Sequence, residues 1–341
     1  MNIHITNLHN IGGTATLAMD GVVQIAKKLD FTEMGVMKRQ FYEDYWNTIS
    51  HHLDGTIASL YHGDIVFFQY PTWNGPDYDK VFVDKIKLYN DVRLVIFVHD
   101  LQKLMFDSEQ SILDTEISIL NKADVLILPS VKMHEYMINN GLRDDIQVLY
   151  QKIWEVPGFP CFKEHQNLKK MLFTGNWNRF PFLESYHGKT IVEHFDYQKP
   201  PRDDDSSFTW RNGFKPIQLM RELSKGGYGL VWCDKEYLER YYSMNQPHKL
   251  GFTLASGIPV IIRNGCVHSD FVREKGLGYV VDSLEEADNL VQNTSDEEYA
   301  KMISNIAPYQ YMLLNGVYTK KLLMDALICV LETSYEKSTI N

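Results

Sequence analysis

The sequence has no segment suited to crossing or entering a membrane. No apolar run approaches the roughly 20 residues that a membrane-spanning helix requires. The N-terminus, MNIHITNLHN, has neither the basic region nor the apolar core of a secretory signal. We therefore expect a protein without a membrane span, located in the cytoplasm.

Cysteine and positive charge are also scarce. Four cysteines (Cys161, Cys233, Cys266 and Cys329) lie far apart, without a CxxC pair or a histidine at zinc-ligand spacing. This spacing predicts isolated thiols in a reducing compartment and argues against a zinc site. The formal net charge of −10 argues against a general nucleic-acid binder, because no basic face would offset phosphate repulsion. It is compatible with a local basic pocket for one diphosphate.

What is present suffices for two α/β domains. The 341 residues, of which 44% are hydrophobic, exceed what a single ordinary core accommodates. Runs such as RLVIFV and DVLIL indicate strands buried on both faces of a parallel sheet. We predict a Rossmann-like domain at 1–154, a linker at 155–168, a second Rossmann-like domain at 169–317, and a C-terminal helix at 318–341 that packs back toward the first domain.

Hydrophobic periodicity gives the boundaries of the individual elements. In the first domain it predicts strands at Asn2–Thr6, Asp64–Gln69, Arg93–Val98, Asp124–Leu128 and Ile146–Tyr150. Helices are predicted between them at Thr14–Leu29, Ser50–Tyr61, Tyr78–Asn90, Ser111–Lys122 and Val131–Asn140. In the second domain the predicted strands are Lys170–Thr174, Thr190–Phe195, Phe208–Trp210, Tyr228–Cys233, Ile258–Ile262 and Gly278–Val281. The charged run Pro200–Ser207 is interpreted as a mobile, solvated loop.

Lys249 is the first candidate for chemistry. It stands at the start of a helix within HKLGFTLASGIPVII, where the order of strands and helices predicts a nucleotide-sized crevice. A cation at a helix start complements a diphosphate, and the backbone N–H groups of Leu250, Gly251 and Phe252 would add donors. Small residues on this turn would let a ligand approach the backbone closely. The alternative interpretation is a surface lysine before a tightly packed helix.

Arg179 and the glycine-threonine turn near the N-terminus are further candidates for ligand binding. Arg179 follows a strand in LFTGNWNRF, and a guanidinium there can pair bidentately with phosphate. Thr14 and Thr16 follow the first strand in NIGGTATLA, a turn that is not the GxGxxG dinucleotide fingerprint. Helix capping is the alternative explanation for a threonine, and solvation is the alternative for the arginine.

The ends of two buried strands supply candidates for catalysis and acceptor binding. His99 and Asp100 end the strand in LVIFVHD, where α/β active sites are built, and a carboxylate there could act as a general base. Equally, Asp100 could cap the next helix and His99 could be a buried, hydrogen-bonded imidazole. Trp73, in PTWN, offers a surface on which a sugar ring could stack.

Two acidic motifs have the Asp-x-Asp spacing of metal-dependent glycosyltransferases. Asp77 and Asp79 form one, and the run from Asp203 to Asp205 forms the other. Both follow proline-containing loops rather than a short apolar strand, and such pairs often arise by chance. We interpret both as surface features and expect no metal, with Lys249 and Arg179 balancing the charge of a leaving diphosphate.

Over nearly its whole length the chain resembles the cytoplasmic bacterial glucosyltransferases that extend O-linked N-acetylglucosamine (GlcNAc) on serine-rich repeat adhesins. The similar segments include ITN, LDGTIASLYHGDIVFFQYPTWN, IFVHDL, NKADVLILPS, GGYGLVW, HKLGFTLASGIPVI and GLGYVV, in that order. The resemblance implies a GT-B fold, in which two Rossmann-like domains face a central cleft. It also implies UDP-glucose as donor, a GlcNAc-modified Ser/Thr-rich protein as acceptor, no required metal, and a homo-oligomer, namely a tetramer.

The resemblance also assigns nucleotide-sugar contacts. It implies that Thr14, Arg179 and Lys249 contact the nucleotide-sugar, with the surrounding pocket formed by Pro247, His248, Leu250, Gly251 and Phe252. A tyrosine that the family carries near the next helix has no equivalent in NGFKP, where Gly213 or Phe214 takes its place. If Phe214 substitutes, stacking survives and the hydroxyl hydrogen bond is lost.

We also consider two alternative functions. One is a related hexosyltransferase, such as a galactofuranosyltransferase, with another donor. The other is a non-catalytic partner that binds glycopeptide and stabilises a true transferase. Phosphate-binding residues such as Arg179 and Lys249 favour an enzyme, because a pure binding partner has no need of them.

Overall fold

The computed structural model describes residues 1–39 and 45–339. Within these residues the chain forms two compact units, Met1–Lys152 with Gly316–Asn341, and Ile153–Asn315. Each unit is built on a six-stranded parallel sheet with helices packed against it, which confirms the predicted α/β class. No helix in the described ranges has the length and apolar character needed to span a bilayer.

The first unit contains strands β1–β6 and helices α1–α6. Its strands are β1 (Ile3–His9), β2 (Thr32–Met37), β3 (Ile65–Tyr70), β4 (Arg93–Val98), β5 (Val125–Leu128) and β6 (Gln147–Tyr150). Its helices are α1 (Gly13–Lys27), α2 (Tyr45–Thr56), α3 (Pro76–Ile86), α4 (Gln102–Phe106), α5 (Gln110–Leu120) and α6 (Val131–Ile138). The C-terminal helix, Val317–Thr339, also packs in this unit, against α1 and strands β4–β6.

The strand order in the first sheet is β2-β1-β3-β4-β5-β6. The side chains of β3 and β5 are buried along the whole strand, as expected for apolar strands covered on both faces. Strand β2 lies on one side of β1 and β3 lies on the other, so the order of the strands reverses at β1. Ligands of open α/β sheets bind at such a switch point, beyond the carboxyl ends of the strands. In this unit the switch lies between the loops that follow β1 and β3.

Strand β2 was not predicted from the sequence. Its residues, TEMGVM, alternate between buried positions at Met34 and Val36 and more exposed ones at Glu33, Gly35 and Met37. An edge strand with one solvated face lacks the continuous apolar run by which the central strands were identified. A central glycine weakens the strand signal further.

The second unit contains the remaining elements. Its strands are β7 (Gln166–Thr174), β8 (Ile191–Asp196), β9 (Phe208–Asn212), β10 (Gly226–Val231), β11 (Val260–Arg263) and β12 (Gly278–Val281). Its helices are α7 (Phe182–Ser185), α8 (Pro216–Ser224), α9 (Glu236–Met244), α10 (His248–Ala255), α11 (Ser269–Lys275), α12 (Leu284–Asn293) and α13 (Asp296–Asn315). The strand order is β12-β11-β10-β7-β8-β9, so the switch point lies between β7 and β10.

Two segments differ from the character that the sequence suggested. The segment expected as a linker belongs to the second unit, where the Val156 N–H donates to the Leu313 carbonyl. The expected mobile loop, Pro200–Ser207, is anchored by Arg202, whose guanidinium donates to the carbonyls of Leu183 and Tyr186 and to Asp205. Most of the loop is exposed, as expected for a solvated segment, and Arg202 anchors it to the rest of the unit.

Candidate functional site

The candidate site in the second unit lies at the switch point of its sheet. The loop after β7 carries Arg179 in a short 3₁₀ turn, Trp177–Arg179. This turn is held in place because the Asn176 side chain caps it and the Trp177 N–H donates to an oxygen of Asp196, the last residue of β8, 3.1 Å away. The Arg179 guanidinium carbon lies 5.8 Å from the centre of the Tyr241 ring. Contacts at the carboxyl ends of β7 and β8 thus fix the turn that carries the Arg179 cation.

Lys249 is the second cation, and aromatic rings surround its ammonium group. The Lys249 Nζ lies 4.3 Å from the centre of the Phe180 ring and 5.2 Å from that of Phe173. It donates a hydrogen bond of 3.2 Å to the Tyr242 hydroxyl. The structure therefore brings Lys249 to the loop that carries Arg179, since Phe180 immediately follows that arginine.

The ionisation of Lys249 responds to this environment. Burial among the rings, followed by the nearby positive charge of Arg179, lowers its pKa from the ordinary value to about 7. Desolvation penalises an ammonium group, and a like charge adds to the penalty. A dianionic ligand between the two cations would remove both penalties, so the site is electrostatically suited to a diphosphate.

The small residues around α10 serve the protein's own packing, contrary to the prediction that they admit a ligand. A Cβ on Gly251 would lie 2.0 Å from the Trp154 carbonyl oxygen, and one on Gly257 would lie 2.4 Å from His165. The Leu250 N–H donates to the Pro247 carbonyl and is not free for a phosphate. The glycines are required because α10 packs directly on backbone and side chains of its own unit.

The other predicted pocket residues near α10 are mostly buried. His248 stacks on Trp154 with ring centres 5.9 Å apart, and burial, followed by the Lys249 charge, lowers its pKa to about 4. Phe252 packs edge-on against Phe159. These side chains support the helix that presents Lys249.

Tyr197, which follows β8, lies beside Gly213, near the place where a tyrosine was expected. The Tyr197 ring lies against Gly213, where an added Cβ would be 2.5 Å from two ring atoms. The Tyr197 hydroxyl donates to the carbonyl oxygen of Phe214, and the Phe214 ring packs 6.0 Å from that of Phe195. An aromatic ring therefore stands beside position 213 even though the sequence has no tyrosine there.

In the first unit, Thr14 and Thr16 lie at the start of α1, beside the switch point. Gly12 and Gly13 have left-handed backbone angles, and the space around them is open. No side chain caps the helix, so the capping interpretation of the threonines was wrong. Thr14 is exposed, whereas the Thr16 hydroxyl is buried and has no hydrogen-bond partner within the described ranges.

Trp73 lies in the loop after β3, on the other side of the same switch point. It has a left-handed φ of 58°, and its ring meets the exposed Phe106 edge-on at 6.2 Å. The buried Trp73 Nε1 has no hydrogen-bond partner in the part of the chain that the structure describes. A ring face with an unused donor is a suitable surface for a sugar.

Asp79 stabilises the loop that carries Trp73, and the prediction that Asp79 is a surface residue was wrong. It is fully buried, and its carboxyl accepts hydrogen bonds from the Thr72 N–H and hydroxyl. Burial raises its pKa to about 7 against the lowering effect of the Thr72 hydrogen bonds. Asp203 to Asp205 stay near the surface, with Asp205 paired to Arg202. Among residues 1–39 and 45–339, no group of His, Cys, Asp and Glu is arranged to hold a metal ion.

His99 and Asp100 differ in accessibility. His99 is only 4% exposed, and its Nε2 lies 3.0 Å from the Gln69 side-chain oxygen, which supports the buried, hydrogen-bonded alternative. Asp100 is half-buried and does not cap α4. That role belongs to Glu116, which accepts the backbone N–H groups of Gln102 and Lys103 and was not recognised from the sequence.

Comparison with known proteins places this chain in a well-defined group. The family models described as glucosyltransferase 3-like, N-terminal domain and C-terminal domain, match residues 2–153 and 171–326. The chain is 36% identical to glucosyltransferase 3 of Streptococcus gordonii, covering 97% of this chain and all of that one. It is 34% identical to glucosyltransferase 3 of Streptococcus parasanguinis, covering 96% and 98%.

A solved structure supports the fold. Sucrose-phosphate synthase from Thermosynechococcus elongatus superposes with a TM-score of 0.69 at 12% identity, covering 98% of this chain and 99% of that one. That enzyme has the GT-B architecture, so the predicted GT-B fold is confirmed. The low identity restricts this comparison to the fold.

Proposed function

The chain belongs to the glucosyltransferase 3-like family of glycosyltransferases, and from this membership we propose that it transfers glucose from UDP-glucose to GlcNAc on a Ser/Thr-rich protein. One observation carries the donor assignment: Arg179 and Lys249 converge at the switch point of the second sheet. The two positive charges repel each other, so together they favour a ligand with two adjacent negative charges.

In this proposal the diphosphate binds between Arg179 and Lys249. The guanidinium pairs with phosphate oxygens, and Lys249 takes up a proton because the bound anion offsets the cost of burying its charge. As the bond to the sugar breaks, negative charge grows on the leaving UDP, and the two fixed cations stabilise it. Because they supply this charge, we propose that no divalent cation is needed.

The acceptor is proposed to bind on the first unit. The Trp73 ring would stack on the GlcNAc ring. The open turn at Gly12 and Gly13 leaves space beside Thr14 for a bound group. The family resemblance adds a homotetramer and a cytoplasmic location to the proposal, and light scattering of the purified protein tests the oligomeric state.

Mass spectrometry of a GlcNAc-modified peptide incubated with individual UDP-sugars tests the donor and acceptor. We expect a hexose mass gain with UDP-glucose, and equal transfer with and without EDTA. Calorimetry should show UDP affinity reduced at least tenfold in Lys249→Ala, because a paired charge is lost. Lys301→Ala, at an exposed position on α13, is the matched control.

Other outcomes would redirect the proposal. Transfer from UDP-galactofuranose alone would identify a galactofuranosyltransferase, and glycopeptide binding without UDP binding would identify a non-catalytic partner. Unchanged UDP affinity in Lys249→Ala would remove Lys249 from the donor site.

A further inference from the structure

His9, at the carboxyl end of β1, forms a histidine-carboxylate pair with Glu33 of β2. The Nε2 of His9 lies 2.9 Å from Oε1 of Glu33, which projects from the neighbouring strand β2. The His9 side chain is 43% exposed and that of Glu33 is 21% exposed. His9 ends β1, the strand that borders the switch point of the first sheet, just before the open Gly12–Gly13 turn, and the pair lies on the side of β1 that faces β2.

The Glu33 carboxylate is fixed by side chains from two neighbouring elements, β1 and α1. The same oxygen that meets His9 accepts a hydrogen bond of 2.8 Å from the Asn7 side chain, and the other oxygen pairs with Lys27 of α1. Burial raises the pKa of Glu33, but hydrogen bonds from Lys27, Asn7 and His9 outweigh it and the pKa is lowered overall. Glu33 is therefore ionised at neutral pH and accepts a proton-bearing nitrogen from His9.

This geometry selects one tautomer of the imidazole. An ionised carboxylate beside Nε2 requires the proton to reside there, so the lone pair is on Nδ1. Within the described ranges, no hydrogen-bond partner of Nδ1 is found. The charged groups facing the ring from the packed elements are Glu33 on β2 and, through Asn7, Asp20 on α1, with Lys27 beyond Glu33. His9 is thus an oriented, accessible base.

We propose that His9 is the general base of the transfer reaction and that Glu33 is its positioning residue. The proposal rests on the proposed glycosyltransferase function. A base must contact the acceptor hydroxyl and hold its lone pair toward it. Of the histidines at the first switch point, His9 meets this requirement, whereas His99 is buried with one ring nitrogen bonded to Gln69.

The chemical step balances without any further reactant. The acceptor hydroxyl oxygen forms a bond to the anomeric carbon of the donor sugar, and its proton passes to Nδ1 of His9. The bond from the anomeric carbon to the diphosphate breaks, and its electron pair leaves with UDP. A single displacement of this kind inverts the anomeric configuration, so UDP-α-glucose yields a β-glucoside.

The test compares transfer by wild type, His9→Gln, Glu33→Gln and His62→Gln. Glutamine keeps a hydrogen-bonding side chain but cannot accept the proton, so His9→Gln should lower kcat by about 10²- to 10⁴-fold. Its UDP-glucose affinity should stay within twofold, which also shows that the protein is folded. His62, an exposed histidine before β3, serves as the matched control and should retain full activity.

The split between kcat and binding separates catalysis from a structural role. His9→Gln should lower kcat while KM for the donor and the acceptor stays within twofold, because the step that is lost is proton transfer. Glu33→Gln should lower kcat by less than His9→Gln does, because the imidazole remains but is no longer held in one tautomer. A purely structural pair would instead lower thermal stability and change kcat and KM together.

The outcomes distinguish this inference from the proposed function. If wild type transfers glucose but His9→Gln keeps kcat within threefold, or the product retains the α configuration, the base assignment is overturned. If wild type uses a different UDP-sugar, the donor proposal fails and the same variants test His9 with that donor. If wild type transfers from no UDP-sugar, both proposals fail together.

Discussion

At the scale of single residues, Lys249 favours ligand binding but lowers the stability of the free protein. Its ammonium group lies among Phe173, Phe180 and Tyr242, where it is poorly solvated, and Arg179 adds repulsion. A neutral apolar side chain would fit such surroundings better. The cost is understandable if the lysine is retained for an anionic ligand, since functional sites often reduce the stability of the free protein.

We predict that Lys249→Met stabilises the free protein while weakening UDP-glucose binding. The folded pKa of about 7 lies below the ordinary 10.5, so the unfolded chain binds more protons between these values and wild-type stability rises with pH across that window. The variant should therefore gain most at pH 6 to 7, on the order of 1–3 kcal/mol, and little near pH 10. Thermal unfolding across pH measures this, with Lys301→Met as control. A lower melting temperature in Lys249→Met at pH 6 would contradict it.

We also predict that UDP-glucose affinity weakens as pH rises above about 7. Binding requires the charged lysine, and the free protein loses that proton with a pKa of about 7. The dissociation constant should therefore rise toward roughly tenfold per pH unit at alkaline pH. Lys249→Arg, always charged, should show a flat profile in the same calorimetric series. Equal pH profiles for the two proteins would exclude this linkage.

At the scale of elements, buried carboxyl groups shape the loops after β3 and β4. Asp79 of α3 holds the Trp73 loop through Thr72, and Glu116 of α5 holds the start of α4. Burial raises the pKa of each carboxyl to about 7. Helices behind the sheet thus fix the loops at its carboxyl edge, including the one that presents Trp73.

We predict that Asp79→Asn flattens the dependence of stability on pH. The folded pKa of about 7 lies above the ordinary 3.8. The folded state therefore keeps a proton that the unfolded chain loses between about pH 4 and 7, and this contribution to stability is lost as pH rises. Asparagine resembles the protonated carboxyl and should remove that slope. Denaturant unfolding from pH 4.5 to 7.5 measures it, and Asp77→Asn at the exposed neighbouring position is the control. Parallel slopes for wild type and Asp79→Asn would refute the prediction.

The elements also show what a sequence can reveal. Strands such as β3 and β4 were predicted because a strand buried on both faces must be apolar throughout. Lys249 and Arg179 were selected as candidates because each is a cation beside a strand end or a helix start, and the structure brings them close together. Edge strand β2 was missed, and with it the Glu33 partner of His9, because pairing between strands is not visible in local periodicity. The burial of Asp79 depends on tertiary packing, which spacing alone does not report.

At the scale of the whole molecule, the first unit is discontinuous in sequence. It takes Met1–Lys152 from one end and Gly316–Asn341 from the other, and the second unit, Ile153–Asn315, is inserted between them. The first unit therefore reaches its full set of packing contacts only when the last helix is present. Each unit still has its own sheet and its own switch point.

We predict that UDP-glucose protects one edge of the second unit from hydrogen exchange. Ligand contacts at the switch point should slow exchange in residues 175–180 and 247–252, because binding suppresses local opening. Residues 187–190 precede β8 at the opposite edge of the same sheet and serve as the internal control. Mass spectrometry with and without ligand measures the difference. Slower exchange at 187–190 alone would place the donor elsewhere.

The contact between Gly251 and the Trp154 carbonyl affects how a mutational scan of this protein should be interpreted. Any side chain at 251 displaces α10 from the backbone on which it rests, so the variants should be depleted by misfolding. Lys249 variants should be depleted only when the screen selects for activity. A screen scored by activity alone would find that positions 249 and 251 both tolerate no substitution, although the physical reasons differ. Scoring cellular abundance in parallel would separate the residue that binds from the residue that allows the helix to dock.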